Sequence, residues 1–245
     1  MIQSANALQV VEGPARLSDG RYSRRGAAAT IPEVRRSALL MGWPRGVKGF
    51  FDFVLAAALT LIALPLGVLI ALAIVLDSRG PVFFCHTRLG RGRRPFRMWK
   101  FRTMIVASDG AFQEYLDRNP ELAREWRLMH KLRSDPRVTR VGRFLRKTSL
   151  DELPQLWNVL RGDMSMVGPR PIVCEEVAKY GPAFALYSQV LPGLTGLWQV
   201  SGRNDTHYHR RVELDSHYIR HWAPWLDGRI LLQTVRVVLR GHGAY

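Results

Sequence analysis

The longest apolar segment of the chain runs from Phe53 to Leu76 and contains no charged residue. Folded as a helix, these 24 residues would extend about 36 Å, more than the roughly 30 Å hydrocarbon core of a bilayer. Helices of soluble proteins keep a polar side, and this segment has none. The pattern therefore predicts a membrane-inserted helix within residues 43–80.

The path of this helix through the membrane depends on Pro65 and on the flanking charges. Pro65 lies near the centre, where it removes a backbone donor and kinks a helix. Both flanks are basic, with Arg35, Arg36, Arg45 and Lys48 before the segment and Arg79, Arg88, Arg91, Arg93 and Arg94 after it. Positive charge collects on the cytoplasmic side, so a bent helix that enters and leaves by one leaflet would suit both flanks. Membrane helices tolerate proline, however, and the residues alone favour a simple span.

The rest of the chain is soluble in character. Residues 1–42 lack apolar periodicity and predict a flexible basic tail. Residues 81–104 predict a β-hairpin around a Gly- and Arg-rich turn, and residues 111–133 carry an interrupted helical pattern. Another helix is predicted before Gly162, where Leu153, Leu156, Trp157 and Leu160 share one face.

The C-terminal segment predicts an amphipathic helix. It carries one polar stripe, formed by Arg229, Gln233, Arg236 and Arg240, on an otherwise apolar surface. Trp222 and Trp225 precede it. This pattern is typical of a helix at a membrane interface, although a terminal helix packed on a core looks similar. The nearby membrane segment favours the interface.

Charge narrows the classes of partner. The chain has 36 Lys and Arg residues against 20 Asp and Glu, a net charge of +16, which favours anionic lipid, phosphorylated substrates or nucleic acid. No nucleic-acid-binding module is recognisable, so no nucleic-acid partner is expected. Cys85 and Cys174 stand far apart and predict no disulfide framework. His217 and His221 lie one helical turn apart, but nothing nearby in the sequence completes a zinc site.

The candidate chemistry lies in an acid pair, Asp151 and Glu152, behind the basic run "RVGRFLRK". Carboxylates can hold Mg²⁺ against phosphate oxygens or attack phosphorus, and arginines bind phosphate. Alternatively, Ser149 and Glu152 form a capping box at a helix start. Pro154 weakens that alternative, because it would be the fifth helical residue and would delete a hydrogen bond. The helix then begins nearer residues 151–153, with the acids at its positive end.

Several segments between residues 46 and 240 together resemble the bacterial sugar transferases, monotopic phosphoglycosyl transferases that start polysaccharide assembly on a polyprenyl phosphate. The most specific are "KFRTM", "TSLDELPQL" and "DMSMVGPRP". "SGRN" and "LDSHY" are most similar to the exopolysaccharide-initiating branch, which transfers galactose or glucose phosphate. The resemblance implies an α+β, predominantly helical fold with a re-entrant membrane helix hairpin broken at Pro65, a short β-hairpin and interfacial amphipathic helices. It places residues 81–245, as catalytic domain, on the cytoplasmic face of the bacterial inner membrane.

The resemblance also implies a reaction, in which a sugar 1-phosphate passes from a UDP-sugar to undecaprenyl phosphate and UMP is released. Asp151 would be the nucleophile that forms a covalent phosphosugar intermediate, and Glu152 would work with Mg²⁺. Other residues of the matching motifs are expected to line the substrate and phosphate site: Lys100, Arg102, Arg146, Asp163, Arg170, Pro171 and Arg203. His86 stands where the family commonly has Gln. Anionic membrane lipid is a further expected partner, and a homodimer would suit a membrane-surface enzyme. The rival hypothesis is a non-catalytic basic scaffold at the membrane.

Overall fold

The structure, a computed structural model, describes residues 11–12, 37–40, 42–105, 109–129, 132, 135–202 and 207–240. Most of the predicted tail, residues 1–42, therefore lies outside the described residues. The described chain is mostly helical with two small sheets, which confirms the α+β, predominantly helical class. In chain order the helices are α1 Gly42–Asp77, α2 Asp109–Asp117, α3 Pro120–Met129, α4 Arg140–Thr148, α5 Gln155–Leu160, α6 Val177–Tyr180, α7 Phe184–Tyr187, α8 Leu197–Val200, α9 Tyr208–Arg220 and α10 Pro224–Arg240.

The larger sheet contains the predicted hairpin. Its strands are β1 Val11–Glu12, β2 Phe83–Leu89 and β3 Pro95–Phe101. Strands β2 and β3 pair antiparallel, with Phe84 opposite Lys100 and Arg88 opposite Phe96, while β1 runs parallel to β2. A second, parallel pair joins β4 Ser165–Val167 to β5 Gly193–Thr195, two strands that the sequence analysis does not predict. Strands of three residues are too short to show the alternation that identifies a strand.

Helix α1 is continuous through Pro65, so the break expected there is not seen. Among the described residues, α1 is the one helix long and apolar enough to cross a membrane. Its buried and half-buried positions recur every three or four residues from one end to the other: Lys48, Asp52, Ala56, Thr60, Ala63, Gly67, Ile70, Ile74 and Asp77. One side of α1 thus packs on the domain along the whole length, as a helix of period 3.6 requires.

The other side of α1 is covered by exposed large apolar side chains: Phe50, Phe51, Phe53, Val54, Leu61, Ile62, Leu64, Leu66, Val68, Leu69, Leu72, Val75 and Leu76. Water-soluble surfaces do not ordinarily carry a continuous apolar patch of this size. This surface is the one that the structure offers to a membrane.

Both ends of α1 are bonded to the same domain. Near its start, the Lys48 ammonium lies 2.6 Å from a carboxylate oxygen of Asp227 in α10. At its end, the Asp77 carboxylate accepts a hydrogen bond of 3.1 Å from the backbone N–H of Val141 in α4. The domain therefore holds the helix at both ends as well as along its side.

The main core lies between α1, α5, β4, α9 and α10. Its most deeply buried members are Ala56, Met164, Val167, Leu186, Tyr218, Ile219 and Ile230. A second cluster joins the C-terminal half of α1 to the hairpin and α4 through Ile70, Ile74, Val82, Phe101 and Leu145. Burial of each large apolar side chain contributes about 1.5–3 kcal/mol. Both halves of α1 thus contribute to the stability of the domain.

Helix α10 combines the two patterns that its sequence allows. Leu226 and Ile230 are buried in the main core. Trp225, Leu232 and Val235 are exposed on another side, next to the exposed Arg229 and Arg236. The helix packs on the core and also presents apolar and basic side chains outward. An interfacial location is compatible with this face but is not shown by it.

Helix α4 carries the basic run and packs closely on the end of the hairpin. The Thr139 hydroxyl caps it by accepting a 2.9 Å hydrogen bond from the N–H of Gly142. The Thr139 N–H in turn donates to the Thr103 carbonyl at 3.1 Å. A methyl group on Gly142 would overlap the Thr103 backbone. Glycine at this position therefore sets how closely α4 approaches the hairpin.

We expect Gly142→Ala to lower the free energy of unfolding by about 1–3 kcal/mol, because α4 must move off the Thr103 backbone. Denaturant unfolding in detergent micelles would measure the loss. Gly110→Ala is the matched control, since Gly110 is also helical but has open space around it; its stability should not fall. Equal stability of the two variants would contradict the close packing.

Candidate active site

The acid pair lies in a sharp connection between α4 and α5. Ser149 ends α4 in the left-handed conformation (φ 57°), and its N–H bonds back to the carbonyls of Arg146 and Leu145. A 3-10 turn, Leu150–Glu152, then carries both acids. The Ser149 side chain makes no capping bond, and α5 begins only after Pro154. The capping-box alternative is therefore wrong, because the Ser149 hydroxyl does not close the box.

Lys100 on β3 contacts both acids. Its ammonium lies 2.7 Å from Glu152 Oε1 and 3.4 Å from Asp151 Oδ2. Asp151 is only 8% exposed, whereas a third of the Glu152 side chain is open to solvent. One carboxylate is thus enclosed and its neighbour reaches the surface, and Lys100 contacts both.

Burial raises the pKa of Asp151, and the negative charge of Glu152 raises it further. Lys100 and Arg146 act in the opposite direction and favour the ionised form. Burial lowers the pKa of Arg146, while Asp151 and Asp135 raise it. The Arg146 Nε donates a 2.9 Å hydrogen bond to the Thr103 hydroxyl, which holds the side chain in place. The result is a desolvated carboxylate near two cations, an arrangement that suits reaction with an anionic phosphate.

Arg102 is buried, and its hydrogen bonds go to a different part of the structure from the acid pair. Its guanidinium donates to the Ser78 carbonyl at 2.8 Å and to the Pro81 carbonyl at 2.6 Å. Further bonds reach the Ser78 hydroxyl and the carbonyls of Arg79 and Gly80. All of these acceptors belong to the turn that connects α1 to β2. The planar guanidinium thus clamps the end of the apolar helix onto β3.

Asp163 is connected to β3 through Asn158, a residue that the sequence analysis missed. Asn158 is fully buried, accepts from the Trp99 N–H at 3.1 Å and donates to the Arg97 carbonyl at 2.7 Å. Its amide also lies 3.3 Å from Asp163 Oδ2, and Arg161 lies 3.6 Å from that oxygen. An isolated Asn within a helical pattern gives no sign of this role. Asn158 fixes α5, and with it the acid pair, against the strand that carries Lys100.

Arg170 and Pro171 belong to a second basic cluster. The Arg170 guanidinium lies 5.2 Å from the centre of the Trp198 ring, and the charge of Arg170 acts against burial, which raises the pKa of Asp215. The Pro171 carbonyl accepts a long hydrogen bond of 3.5 Å from Arg88. This cluster is built from β2, the loop after β4, and α9.

His86 lies between the two basic groups. Successive pairs Phe84–Lys100, His86–Met98 and Arg88–Phe96 place it on the face of the hairpin that carries Lys100 and Arg88. Burial and the charge of Arg88 lower its pKa, which keeps the ring neutral. Its Nδ1 lies 3.0 Å from the Thr87 carbonyl. Because a carbonyl only accepts, Nδ1 carries the proton and Nε2 is left as an acceptor.

The predicted site residues therefore separate into groups. The structure brings together Lys100, Arg146, Asp151 and Glu152. Arg102 clamps a turn, Asp163 bonds to Asn158, and Arg170 and Pro171 contact the second cluster. Arg203 lies outside the described residues.

The acid pair is also the best candidate for Mg²⁺. Within the described part of the chain, no three His, Cys, Asp or Glu side chains converge to hold a metal ion. The rings of His217 and His221 stack at 4.3 Å without such a third ligand. Mg²⁺ is commonly held by one or two carboxylates together with substrate phosphates, and the partly exposed carboxylate of Glu152 fits this pattern.

The segment of the chain that contains the candidate site matches one known protein family. The sequence pattern of a family described as bacterial sugar transferase matches residues 43–241. The chain is 48% identical over 201 residues to the undecaprenyl-phosphate galactose phosphotransferase of Salmonella typhimurium, a match that covers 82% of this chain and 42% of that protein. It is 47% identical over 199 residues to the exopolysaccharide production protein ExoY of Sinorhizobium fredii, covering 81% of this chain and 88% of ExoY.

A third relative is the UDP-glucose:undecaprenyl-phosphate glucose-1-phosphate transferase of Caulobacter vibrioides. It is 45% identical over 206 residues, which cover 81% of this chain and 72% of that protein. The chain thus spans less than half the length of the Salmonella relative and most of the length of ExoY.

We expect Arg102→Lys to lower the free energy of unfolding by about 3 kcal/mol, because one ammonium cannot satisfy the buried acceptors of the clamp. Thermal or denaturant unfolding in micelles would measure the loss. Arg143→Lys, an exposed substitution on α4, should change stability by less than about 0.5 kcal/mol. If Arg102→Lys were as stable as this control, the clamp would be excluded.

Proposed function

Because the chain belongs to the bacterial sugar transferase family, we propose that it transfers a sugar 1-phosphate from a UDP-sugar to undecaprenyl phosphate. The observation that carries the proposal is the buried Asp151, whose carboxylate lies 3.4 Å from the Lys100 ammonium, beside Glu152 and within the electrostatic influence of Arg146. The names of the relatives support the acceptor, and those of two of them support galactose or glucose as the sugar. The reaction would begin an exopolysaccharide or glycoconjugate.

In the first step, an Asp151 carboxylate oxygen attacks the sugar-linked phosphorus. A new P–O bond forms to Asp151, while the bond from that phosphorus to the bridging oxygen breaks and its electron pair leaves with UMP. Lys100 and Arg146 balance the negative charge that accumulates on the phosphate oxygens. The partial burial of Asp151 removes water that would otherwise weaken the nucleophile and hydrolyse the acyl phosphate.

In the second step, an oxygen of the lipid phosphate attacks the same phosphorus. The bond to Asp151 breaks, so the carboxylate is restored and the sugar diphosphate lipid leaves. The same cations serve both steps, because each passes through a phosphoryl group at one place. Glu152 would hold Mg²⁺ beside the phosphate oxygens, and the ion would neutralise part of their charge. The open third of the Glu152 side chain leaves it accessible for this role.

The contacts of α1 support a re-entrant arrangement in the membrane. Lys48 and Asp77, near its two ends, bond to one folded domain, which cannot lie on both sides of a bilayer. The helix therefore enters and leaves by the same leaflet, with its exposed apolar face toward the lipid. The basic residues on both flanks support an orientation in which that leaflet is the cytoplasmic one of the inner membrane. A bend at Pro65 on insertion is part of this proposal, and a homodimer stays a prediction.

Asp151→Asn should abolish UMP release from UDP-galactose or UDP-glucose in the presence of Mg²⁺ and undecaprenyl phosphate, because an amide cannot form the acyl phosphate. We expect a loss of at least a thousandfold, measured as UMP formed by the protein in nanodiscs. Radiolabelled sugar should remain on the wild-type protein when the lipid is omitted, and should be absent from the variant.

Asp117→Asn, which removes an exposed carboxylate on α2, is the control and should retain full activity. Wild-type activity in Asp151→Asn would return Asp151 to a structural role. A wild-type protein that binds anionic vesicles but turns over neither nucleotide sugar would favour the scaffold hypothesis.

The membrane arrangement predicts equal access at both ends of α1. Arg45→Cys and Arg79→Cys, each made in a Cys174→Ser background, should resist a membrane-impermeant maleimide in intact cells and react after permeabilisation. Both positions are exposed, and the remaining Cys85 is buried. Cys174 in the native chain is exposed and marks the side of the domain. Labelling of position 45 in intact cells, with position 79 protected, would mean a simple span.

A further inference from the structure

Three arginines gather away from the acid pair. Arg88 extends from β2, Arg170 from the loop after β4, and Arg211 from α9. The side chains of Arg88 and Arg211 are 19% and 8% exposed. Trp198 lies between two of them, with the Arg170 guanidinium 5.2 Å and the Arg211 guanidinium 5.1 Å from its ring centre. Stacking of this kind fixes a guanidinium plane and leaves its N–H donors available.

Several of these donors are buried without an acceptor. The Arg88 Nε has no hydrogen-bond partner, and its Nη1 makes a 3.5 Å contact with the Pro171 carbonyl and a 3.8 Å ion pair with Glu176. Arg211 donates from Nη1 to Glu176 at 3.0 Å, while its Nε and Nη2 have no partner. Buried donors in folded proteins are nearly always paired, and guanidinium donors most of all. Within the described residues, three guanidinium N–H donors of the cluster are therefore buried without an acceptor, and one carboxylate oxygen, Asp215 Oδ1, is buried without a donor.

The charges in the cluster are also unbalanced. Among the described residues, the carboxylates paired with these guanidinium groups are Glu176 and Asp215. One oxygen of Asp215, Oδ2, accepts a 2.6 Å hydrogen bond from the Tyr180 hydroxyl and lies 4.0 Å from the Arg211 Nε. Burial and the charges of Arg170 and Arg211 lower the pKa of Arg88 to about 10. An anion between the guanidinium groups would remove this repulsion and supply the missing acceptors.

Arg88 of the cluster lies on the same face of the hairpin as Lys100, the residue that contacts the acid pair. Arg88 and the cross-strand partner of Lys100, Phe84, are four residues apart on β2, which corresponds to about 13 Å along the strand. His86 lies between them with its neutral Nε2 available as an acceptor. The hairpin face thus carries cations at both ends and a polar group in the middle, the pattern expected along a bound phosphate ester.

We propose that Arg88, Arg170 and Arg211 bind a phosphate group of a substrate, in a basic site separate from the one formed by Lys100 and Arg146. The inference rests on the proposed function, because it assumes that the chain handles phosphorylated substrates. The phosphate belongs either to the nucleotide or to the lipid, and binding to each can be measured separately. One guanidinium group can donate two parallel hydrogen bonds to two oxygens of a phosphate, and such bonds would use the unpartnered N–H groups.

The proposal is tested by measuring ligand binding under conditions that do not allow turnover. Full-length protein in nanodiscs, with EDTA to remove divalent metal, would be titrated with UMP in one arm and with undecaprenyl phosphate in the other. Arg88→Gln should weaken one of these affinities at least tenfold, and the ligand affected identifies the source of the phosphate. Arg88→Lys keeps the charge and should recover part of the loss. Wild-type affinity of Arg88→Gln for both ligands would overturn the proposal.

The controls separate this proposal from folding and from catalysis. Arg91→Ala, at the exposed tip of the same hairpin, should bind both ligands as the wild type does. Should Arg88→Gln fail to fold, the half-buried Arg170→Gln takes its place, with the same expected loss and the same overturning result. If the wild type releases no UMP but Arg88→Gln still loses phosphate binding, the proposed function fails and the cluster stands. If the wild type is active and the variant binds normally, only the cluster is wrong.

Discussion

The placement of the apolar helix depends on a buried ion pair between Lys48 and Asp227, whose charged atoms lie 2.6 Å apart. A buried charge is tolerated only with partners, so Lys48 holds α1 against α10 over 179 positions of sequence. The Tyr218 hydroxyl and the Trp222 indole N–H both donate to Asp227, while the Ser165 hydroxyl bonds to Asp52 one turn along α1. Loss of one partner would leave the others unpaired in the core. The same buried contacts therefore stabilise the domain and fix the position of α1.

The hairpin transmits this placement to the chemistry. Lys100 lies on β3, and Arg102 directly follows the last residue of that strand. Lys100 contacts the acid pair, and Arg102 binds the turn after α1. Asn158 bonds α5 to the same strand. The acid pair, the cation that faces it and the end of the apolar helix are consequently fixed by one strand. This arrangement explains how side chains from segments distant in the sequence can stay about 3 Å apart in the site, although the domain has no large sheet to hold them.

Much of this could be predicted from sequence where the signal is local. The apolar run, the hairpin and the acid pair are each continuous in the chain, and Pro154 alone was enough to weaken the capping-box alternative. The strands β4 and β5 escaped prediction because three residues carry no periodicity. The clamp role of Arg102 could not be predicted, since its acceptors are backbone carbonyls that only the turn after α1 brings together. The same holds for Asn158 and for Arg211, whose partners come from other elements.

The Arg102 clamp has a consequence for how substrates are chosen. It joins the turn after α1 rigidly to the strand of Lys100, so in the proposed re-entrant arrangement the depth of the helix in the leaflet sets the height of the reaction centre above the hydrocarbon. A lipid phosphate is held at a nearly constant level by its own tail, whereas a soluble phosphate can occupy any height. The fixed height of the reaction centre would thus favour acceptors whose phosphate lies at that level of the membrane, without any contact to the lipid tail.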